Sequence, residues 1–489
     1  MRSTDSRRTL GSLAALALAW WAALPASAAD AAAKERALAA IVERADDYWA
    51  AALDIWGWAE PGYQETRSSE RLAALLREAG FTVERGVAEI PTAFVASYGS
   101  GEPVLGILAE YDALPGLSQD AVPHPQPRAE TSWGHGCGHH LFGVASAAAG
   151  IAVAQAIERG DLAGTIRVYG SPAEEGGAAK LYLVRAGLFS DVDAVLHWHP
   201  GDQNAAGDPT NQARVAAKLR FHGKSAHAAA APEEGRSALD ALNVTAYAAE
   251  LLREHTPDLT RIHHVITAGG EAPNVVPDFA EAYYYVRHPD AAVARSVYDR
   301  LLLCARAGAL ATETELEIEF LGGVYNVLPN STLSKVSLRN LRALADLSYS
   351  SEEEAFAREI QATLHAPLPL STVADVTDRS GAVDTGSTDV GDVSWVVPTT
   401  GVRIATWVPG TPAHSWQATA AGGTTIGRKG MLLAAKTLAA TAWDLFGDTA
   451  TLTAARRELE ERVGPAGYVP MLEEGQQPPL DYRNPPKPR

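Results

Sequence analysis

The feature that most constrains the fold of this 489-residue chain is a strand–helix alternation that is interrupted once. Short apolar runs typical of buried parallel strands (Val104 to Ala109, Thr165 to Tyr169, Ala194 to Leu196) alternate with helical segments up to about residue 213. From Arg214 the order becomes strand, helix, two strands, helix, strand, ending in the period-2 run Glu313 to Leu321. The first pattern then resumes near residue 328. We therefore predict a layered α/β domain with a compact α+β domain inserted into it.

The first 28 residues predict an export signal. Arg2, Arg7 and Arg8 precede an apolar stretch from Leu13 to Leu24, and Ala26-Ser27-Ala28 has the small-x-small pattern of a signal-peptidase site. The stretch is shorter than the roughly 20 residues that a spanning helix needs. We expect cleavage after Ala28, no membrane anchor in the mature chain and a periplasmic or secreted location. An uncleaved anchor is the alternative.

Composition excludes several classes of protein. The chain has 41 Lys and Arg against 59 Asp and Glu, a formal charge of −18, and no run of basic residues, so we expect no nucleic-acid partner. Its two cysteines, Cys137 and Cys304, cannot form a disulfide framework. The final stretch, 476–489, is Pro-rich with little apolar content, and predicts a loose tail.

Four separate segments carry side chains that bind metal ions. They are GHGCGHH at 134–140, SPAEEGG at 171–177, HWHP at 197–200 and TPAHSW at 411–416. A cysteine and a histidine two residues apart can aim a thiolate and an imidazole at one ion, and adjacent carboxylates can divide metal binding and proton transfer. Each segment alone is equally well explained as a solvated turn or an isolated histidine. Three of them follow predicted strands, whose carboxyl ends form sites in α/β sheets, so we predict a shared metal site.

These strings resemble sequences of the zinc-dependent aminoacylase and glutamate-carboxypeptidase family, and the resemblance extends from about residue 33 to 445. Three further strings contribute to it: AEYDALPG at 109–116, DAVLHWHP at 193–200 and GSTDVGDVSW at 386–395. The resemblance is to the amidohydrolases in which a cysteine replaces an acidic bridging ligand, and among these to the p-aminobenzoyl-glutamate hydrolase group. It implies an α/β catalytic domain in two parts, 29–213 and 328–475. The insert, 214–327, is then a ferredoxin-like lid and dimerisation domain.

The resemblance also implies a dinuclear metal site. The implied metal ligands are Cys137, which bridges both ions, His139, Glu175, His199 and His414. Glu174 resembles the general base, and Asp112 resembles the aspartate that orients a ligand imidazole.

Three neighbouring positions complicate these assignments. His197 is a rival to His199, although the position relative to Asp193 favours His199. His140 stands where many members of the family have an aspartate, and Glu110 where peptidase members have a histidine ligand. The glutamate at position 110, in place of a histidine ligand, fits a metal site that uses Cys137 as a ligand instead.

Residues of the insert resemble substrate-binding residues of the family. His227 resembles the histidine that family dimers offer to the partner's active site, with an ordinary turn histidine as the alternative. Asn274 and Arg287 suit a substrate carboxylate, although Arg287 could equally form a surface ion pair. We therefore expect a homodimer formed through the inserted domain.

The implied reaction is hydrolysis of an amide bond by a metal-activated water, with two divalent ions, zinc or manganese, as cofactors. The implied substrate is a small N-acyl or N-aroyl amino acid with a free carboxylate, of the p-aminobenzoyl-glutamate type. A dipeptidase or carboxypeptidase of the same family, or a non-catalytic subunit of a paired assembly, are the alternatives. No Gly-x-Ser-x-Gly elbow is present, which disfavours a serine hydrolase.

Overall fold

The computed structural model of the protein describes residues 26–483. Residues 1–25 of the predicted signal peptide and the last six residues of the predicted tail lie outside this range. Cleavage after Ala28 therefore stays a prediction.

Before the insert, the three strands that the sequence predicts are separated by helices. In chain order the elements are α1 (Ala26–Glu43), α2 (Ala45–Trp58), α3 (Thr66–Glu78), β1 (Thr82–Arg85), β2 (Phe94–Ser100), β3 (Val104–Ala109), β4 (Leu114–Pro115), β5 (Trp133–Gly134), α4 (His139–Glu158), β6 (Gly164–Gly170), α5 (Ala179–Arg185), β7 (Ala194–Gly201) and β8 (Asn204–Ala206). The strands β1 to β5, in contrast, follow one another with no α-helix between them.

The insert and the returning chain follow. The insert contains β9 (Ala213–His222), α6 (Ala238–Arg253), β10 (Arg261–Ala268), β11 (Phe279–His288), α7 (Ala291–Thr312) and β12 (Glu315–Val324). The remaining elements are α8 (Ser331–Leu344), α9 (Ser351–Gln361), β13 (Val376–Asp378), α10 (Val390–Ser394), β14 (Thr399–Ala405), α11 (Trp416–Gly422), α12 (Thr425–Phe446) and α13 (Thr449–Val463).

An eight-stranded mixed sheet forms the centre of the larger unit, in the order β1-β2-β6-β3-β7-β14-β8-β13. β3 pairs in parallel with both β6 and β7, and every residue of β3 is buried, because helices cover the sheet. Of the helices described, only α4 is long and apolar enough to cross a membrane, and 89% of its most apolar stretch is buried inside the protein. The predicted α/β fold is confirmed.

The insert is a separate α+β unit with its own core. Its antiparallel sheet has the order β10-β11-β9-β12, and α6 and α7 pack on it. Leu219, Phe221 and Leu301 are fully buried in this core, and the period-2 residues Leu316 and Ile318 pack against it. The predicted inserted domain is confirmed.

Two expectations are wrong, and the first concerns the end of a strand. The sequence places His197 and His199 after a strand that ends at Leu196, whereas β7 continues to Gly201. Parallel pairing with β14 extends through this stretch, with His197 opposite Gly401 and His199 opposite Arg403. Histidine and proline interrupt the apolar run in the sequence, but pairing with β14 maintains the strand.

The second wrong expectation concerns the described part of the predicted loose tail, because residues 476–483 pack against the larger unit. The hydroxyl of Tyr182 donates to the Gln477 carbonyl at 3.3 Å, and Arg185 donates to the Gln476 carbonyl. The Tyr482 ring meets Tyr63 edge-on at 5.7 Å. These contacts use backbone carbonyls and one aromatic ring, which the low apolar content of the segment does not reveal.

Glu458 of α13 stabilises the start of α8. Its carboxylate accepts from the backbone N–H of Ser331 at 2.8 Å and of Thr332 at 2.9 Å, two donors without partners inside their own helix. Burial raises the pKa of Glu458, but these hydrogen bonds and the one from the Thr332 hydroxyl outweigh burial and lower it from 4.5 to about 2.

We predict that Glu458→Gln lowers the free energy of unfolding at pH 7 by about 1 kcal/mol, the usual cost of a lost helix cap. Because the pKa of Glu458 is lowered in the folded state, its stabilisation is present above pH 4.5 and is lost as the pH falls toward 2. Urea unfolding at pH 7 and pH 3 should therefore show a smaller difference between variant and wild type at pH 3. Glu461→Gln, which removes only the exposed pair with Arg457, is the control. A difference independent of pH would contradict the prediction.

Candidate metal centre

The predicted ligand segments meet at one edge of the large sheet, although up to 277 positions separate them in the sequence. Glu174 and Glu175 follow β6, His199 lies near the end of β7, and His414 follows β14. Cys137 precedes α4 directly. The carboxyl ends of neighbouring parallel strands meet at the same edge, which is where α/β sheets form their sites.

The Cys137 thiol lies between two groups of possible ligands. The ligand atoms of Cys137, His139 and His199 all lie within 4.8 Å of one another, and so do those of Cys137, Glu175 and His414. The Cys137 Sγ is 3.3 Å from His199 Nε2, and His414 Nε2 is 3.1 Å from Glu175 Oε1. The thiol thus belongs to both groups of possible ligands.

Asp112 connects the two ligand groups. Its Oδ1 lies 2.8 Å from His139 Nδ1, and its Oδ2 accepts the backbone N–H of Glu175 at 2.9 Å. The first contact fixes the ring of His139 so that Nε2 faces the other ligands, the usual role of a carboxylate behind a metal-binding histidine. Burial raises the pKa of Asp112, but the charge and hydrogen bond of His139 outweigh burial and lower it.

A buried charge network lies behind this site. Glu110 Oε2 is 3.2 Å from His139 Nε2, and Glu110 Oε1 is 2.7 Å from Lys180 Nζ. Lys180 is fully buried and also pairs with Asp389 at 2.7 Å. Sequence reasoning missed Lys180, for which the available signal is a lysine in the first turn of a short helix whose next four residues are uncharged. It also left Asp389 without a role.

Glu174 lies beside this network, since its carboxylate forms a third close group with Glu110 and His139. Burial raises the pKa of Glu174 well above its usual value, and the nearby carboxylates of Glu110 and Glu175 raise it further. A carboxyl group with a raised pKa is suited to accept a proton and release it again.

The donor set fits divalent cations. Glu110 Oε2, His139 Nε2 and Glu175 Oε1 are buried and make no hydrogen bond of acceptable geometry, although Glu110 Oε2 lies 3.2 Å from His139 Nε2 and Glu175 Oε1 3.1 Å from His414 Nε2. Leaving such atoms unsatisfied is costly unless a cation binds them. Burial raises the pKa of the Cys137 thiol, so its thiolate also needs a positive neighbour. Thiolate, imidazole and carboxylate together are typical ligands of zinc and related ions.

Strained backbone presents several of these side chains. His414 has a φ of +58°, and its N–H donates to the Gly136 carbonyl at 2.9 Å. Ala173 and Ala178, which flank the two glutamates, both have a φ of +55°. Left-handed conformations of residues other than glycine cluster at functional sites, where the surroundings hold them in place.

His197 and His140 are close to the possible ligands in the sequence but belong to none of the three ligand groups. The ring of His197 packs so closely on Gly401 that a Cβ there would lie 2.3 Å from it. Burial and the charge of Lys180 lower the pKa of His197 to about 4, so this ring is neutral. His140 Nε2 lies 3.1 Å from the Gly422 carbonyl, so this residue ties α4 to α11 rather than facing the ligands.

A cavity of about 720 Å³ adjoins the ligands. The insert contributes Arg214, Tyr285 and Arg287 to its lining, which places the predicted Arg287 near the site. His227 and Asn274 do not line it. Both are exposed and lie in adjacent segments of the insert, where the Ala228 N–H donates to the Asn274 carbonyl at 3.0 Å.

Comparisons with known proteins show which proteins this chain resembles. Residues 211–309 match the family model described as a peptidase dimerisation domain. The chain is 42% identical to a subunit of the p-aminobenzoyl-glutamate hydrolase of Escherichia coli, over 83% of this chain and 90% of that protein. It is 32% identical to the Xaa-Arg dipeptidase of Mus musculus over 87% of this chain and 92% of that protein.

The fold is also similar to that of a solved structure. The Bacillus subtilis YXEP protein, described as a dinuclear metal binding peptidase from the M20 family, superposes with a TM-score of 0.57 at 19% identity. The superposition covers 82% of this chain and 98% of that protein.

We predict that Cys137→Ser lowers the affinity for Zn²⁺ at least about tenfold, because a neutral hydroxyl replaces a ligand that belongs to both groups. Equilibrium dialysis with elemental analysis measures the bound metal. Cys304→Ser, at the half-buried cysteine of α7, is the matched control and should bind metal as the wild type does. Equal metal binding by both variants would contradict the prediction.

Proposed function

The chain belongs to the M20 peptidase family and is therefore a metal-dependent hydrolase of amide bonds, and we propose that it cleaves N-acyl or N-aroyl amino acids that carry a free carboxylate. Substrates of the p-aminobenzoyl-glutamate type belong to this class. The relative in Escherichia coli is named for that substrate.

One observation carries this proposal: the cavity has metal-binding side chains on one wall and unpaired arginines on the other. Arg214 and Arg287 are directly opposite each other in the pairing of β9 and β11. Their guanidinium groups lie 4.9 Å and 5.5 Å from the ring of Tyr285. Like charges in opposed positions destabilise a sheet, and a substrate carboxylate between them would remove the cost.

In the proposed mechanism, two divalent ions would be held by Cys137, His139, Glu175, His199 and His414. When bound, the ions supply the Lewis acidity that activates water and polarises the scissile carbonyl. Glu174 accepts the proton of the attacking water at its carboxylate and passes it to the leaving nitrogen. Asp112 keeps the imidazole of His139 in place, and Arg287 holds the substrate carboxylate.

We propose zinc as the metal, with manganese as the alternative. The thiolate of Cys137 and the imidazoles of His139, His199 and His414 favour zinc, whereas the carboxylates also accept manganese. Elemental analysis of protein purified from its own compartment distinguishes the two.

We propose that the protein is a homodimer formed through the insert. Val244, Tyr247 and Leu251 form an exposed apolar stripe on α6, and Leu310 of α7 is 83% exposed. Apolar surface of this kind marks an interface. His227 is exposed and outside its own cavity, which supports a role in the partner's site. A different partner chain is the alternative, since the Escherichia coli relative is named as one subunit of its enzyme.

The proposed location is the periplasm or the exterior, and the proposal depends on the basic and apolar segments of residues 1–28. Cell fractionation and N-terminal sequencing of the mature protein test it. A mature chain that starts at Met1 in the cytoplasm would contradict it.

We predict that the purified protein hydrolyses p-aminobenzoyl-glutamate, that a chelator abolishes this activity and that Zn²⁺ restores it. Glu174→Gln should lower kcat by about 10²–10⁴-fold while the bound metal is unchanged, because it removes the proton acceptor but no proposed ligand. Glu84→Gln, at an exposed position of β1, is the control. Activity indifferent to chelation, or full turnover by Glu174→Gln, would contradict the proposed mechanism, whereas no hydrolysis by the metal-loaded protein would favour a non-catalytic subunit.

Two inactive variants should complement each other if His227 serves the partner's site. We predict that His227→Ala and Glu174→Gln are each nearly inactive, and that a heterodimer of one chain of each has about half of the wild-type activity. One of its two sites then combines an intact Glu174 with an intact His227. Co-expression with two different affinity tags isolates the heterodimer. A heterodimer as inactive as its parents would show that His227 acts within its own chain.

A further inference from the structure

Four arginines of the cavity, Arg403 among them, lack within residues 26–483 the acidic partners that other arginines of this chain have. Arg214, Arg287 and Arg483 line the cavity, and within residues 26–483 none of them forms an ion pair. Arg220, on the same strand as Arg214, is bonded to Glu281 at 2.6 Å, to Glu317 at 2.7 Å and to Glu319. Acidic residues outnumber basic ones 59 to 41, so the missing partners point to an anionic ligand.

The nitrogens of these arginines are also incompletely bonded. The Nε atoms of Arg214, Arg287 and Arg483 are all buried without a hydrogen-bond partner. An arginine presents donors in a planar fork that matches a carboxylate, and a buried donor left unpaired is costly. Three guanidinium groups around one cavity exceed what a single carboxylate can satisfy.

Arg483 reaches the cavity from the C-terminal segment. Its guanidinium group stacks on Tyr482 at 4.7 Å and on Trp133 at 5.7 Å, and it donates to the carbonyl of Glu175. These contacts fix the side chain at the mouth of the metal centre. They leave Nε unpaired.

Arg483 and Arg214 lie around the same pair of tyrosines. The hydroxyls of Tyr283 and Tyr285 are 2.9 Å apart. Burial and Tyr285 raise the pKa of Tyr283, and the charges of Arg214 and Arg483 both oppose the rise, so both guanidinium groups are within electrostatic range of this ring. Arg214, Tyr285 and Arg483 all line the cavity, so both guanidinium groups border the same space.

We propose that Arg483 is a specificity-determining residue that binds, with Arg214, a second carboxylate of the substrate. The favoured substrates are then N-acyl derivatives of acidic amino acids, whose α-carboxylate binds Arg287. This inference rests on the proposed function and adds the side-chain class of the substrate. A cationic side chain, such as the arginine named in the dipeptidase relative, would be repelled at this position.

The test compares three substrates that differ only in the side chain: p-aminobenzoyl-glutamate, p-aminobenzoyl-glutamine and p-aminobenzoyl-arginine. We expect the wild type to prefer glutamate over glutamine at least about tenfold in kcat/KM, because the neutral amide leaves the guanidinium groups unpaired. Arg483→Gln should remove most of this preference by lowering kcat/KM for glutamate alone. Arg483→Lys should retain part of it, and Arg483→Glu should shift the preference toward arginine.

Arg185→Gln is the matched control, since Arg185 contacts the same C-terminal segment but does not line the cavity. It should change all three rates by the same factor. Thermal unfolding and metal content of each variant show whether the fold and the metal centre are intact.

Two other outcomes overturn the inference in distinguishable ways. A uniform loss for all three substrates in Arg483→Gln, or an unchanged preference, would mean that Arg483 only holds the turn of Glu175. No hydrolysis of any substrate by the metal-loaded wild type would contradict the proposed function itself.

Discussion

The two contacts of Asp112 are the constraint on which the rest of the site depends. One carboxylate holds the imidazole of His139 and the backbone of Glu175, and so fixes the distance between the segment after β3, the start of α4 and the turn after β6. Each segment comes from a different strand connection. This link fixes the position of His139, in one group of possible ligands, relative to Glu175 in the other.

Charge is distributed very unevenly around the cavity. The metal centre contains the carboxylates of Glu110, Glu174 and Glu175. The buried cation Lys180 offsets the negative charges of Glu110 and Asp389. The opposite wall carries Arg214 and Arg287, which form no ion pair with the residues that the structure describes. Such a separation suits a substrate whose amide lies at the cations and whose carboxylates extend toward the insert, because each charged group then meets its complement.

The insert and the C-terminal segment complete a cavity that the larger domain only begins. β9 and β11 supply Arg214, Tyr285 and Arg287, whereas the C-terminal segment supplies Arg483. Met471 packs into the core of the insert and Leu472 against the larger unit, so this segment contacts both. Residues near the end of the chain therefore support the part of the insert that lines the cavity.

The sequence by itself determined the layered α/β fold, the inserted domain and the ligand types, because strand periods and short motifs are local properties. It did not determine that β7 runs on through His199, since pairing with β14 maintains that strand. It missed Lys180 and Arg483, because their partners, Asp389 and Glu175, lie 209 and 308 positions away in the sequence. It also could not tell which carboxylates lie near which imidazole. Only tertiary structure decides these points, because burial and long-range contacts turn an ordinary lysine or a terminal arginine into part of a site.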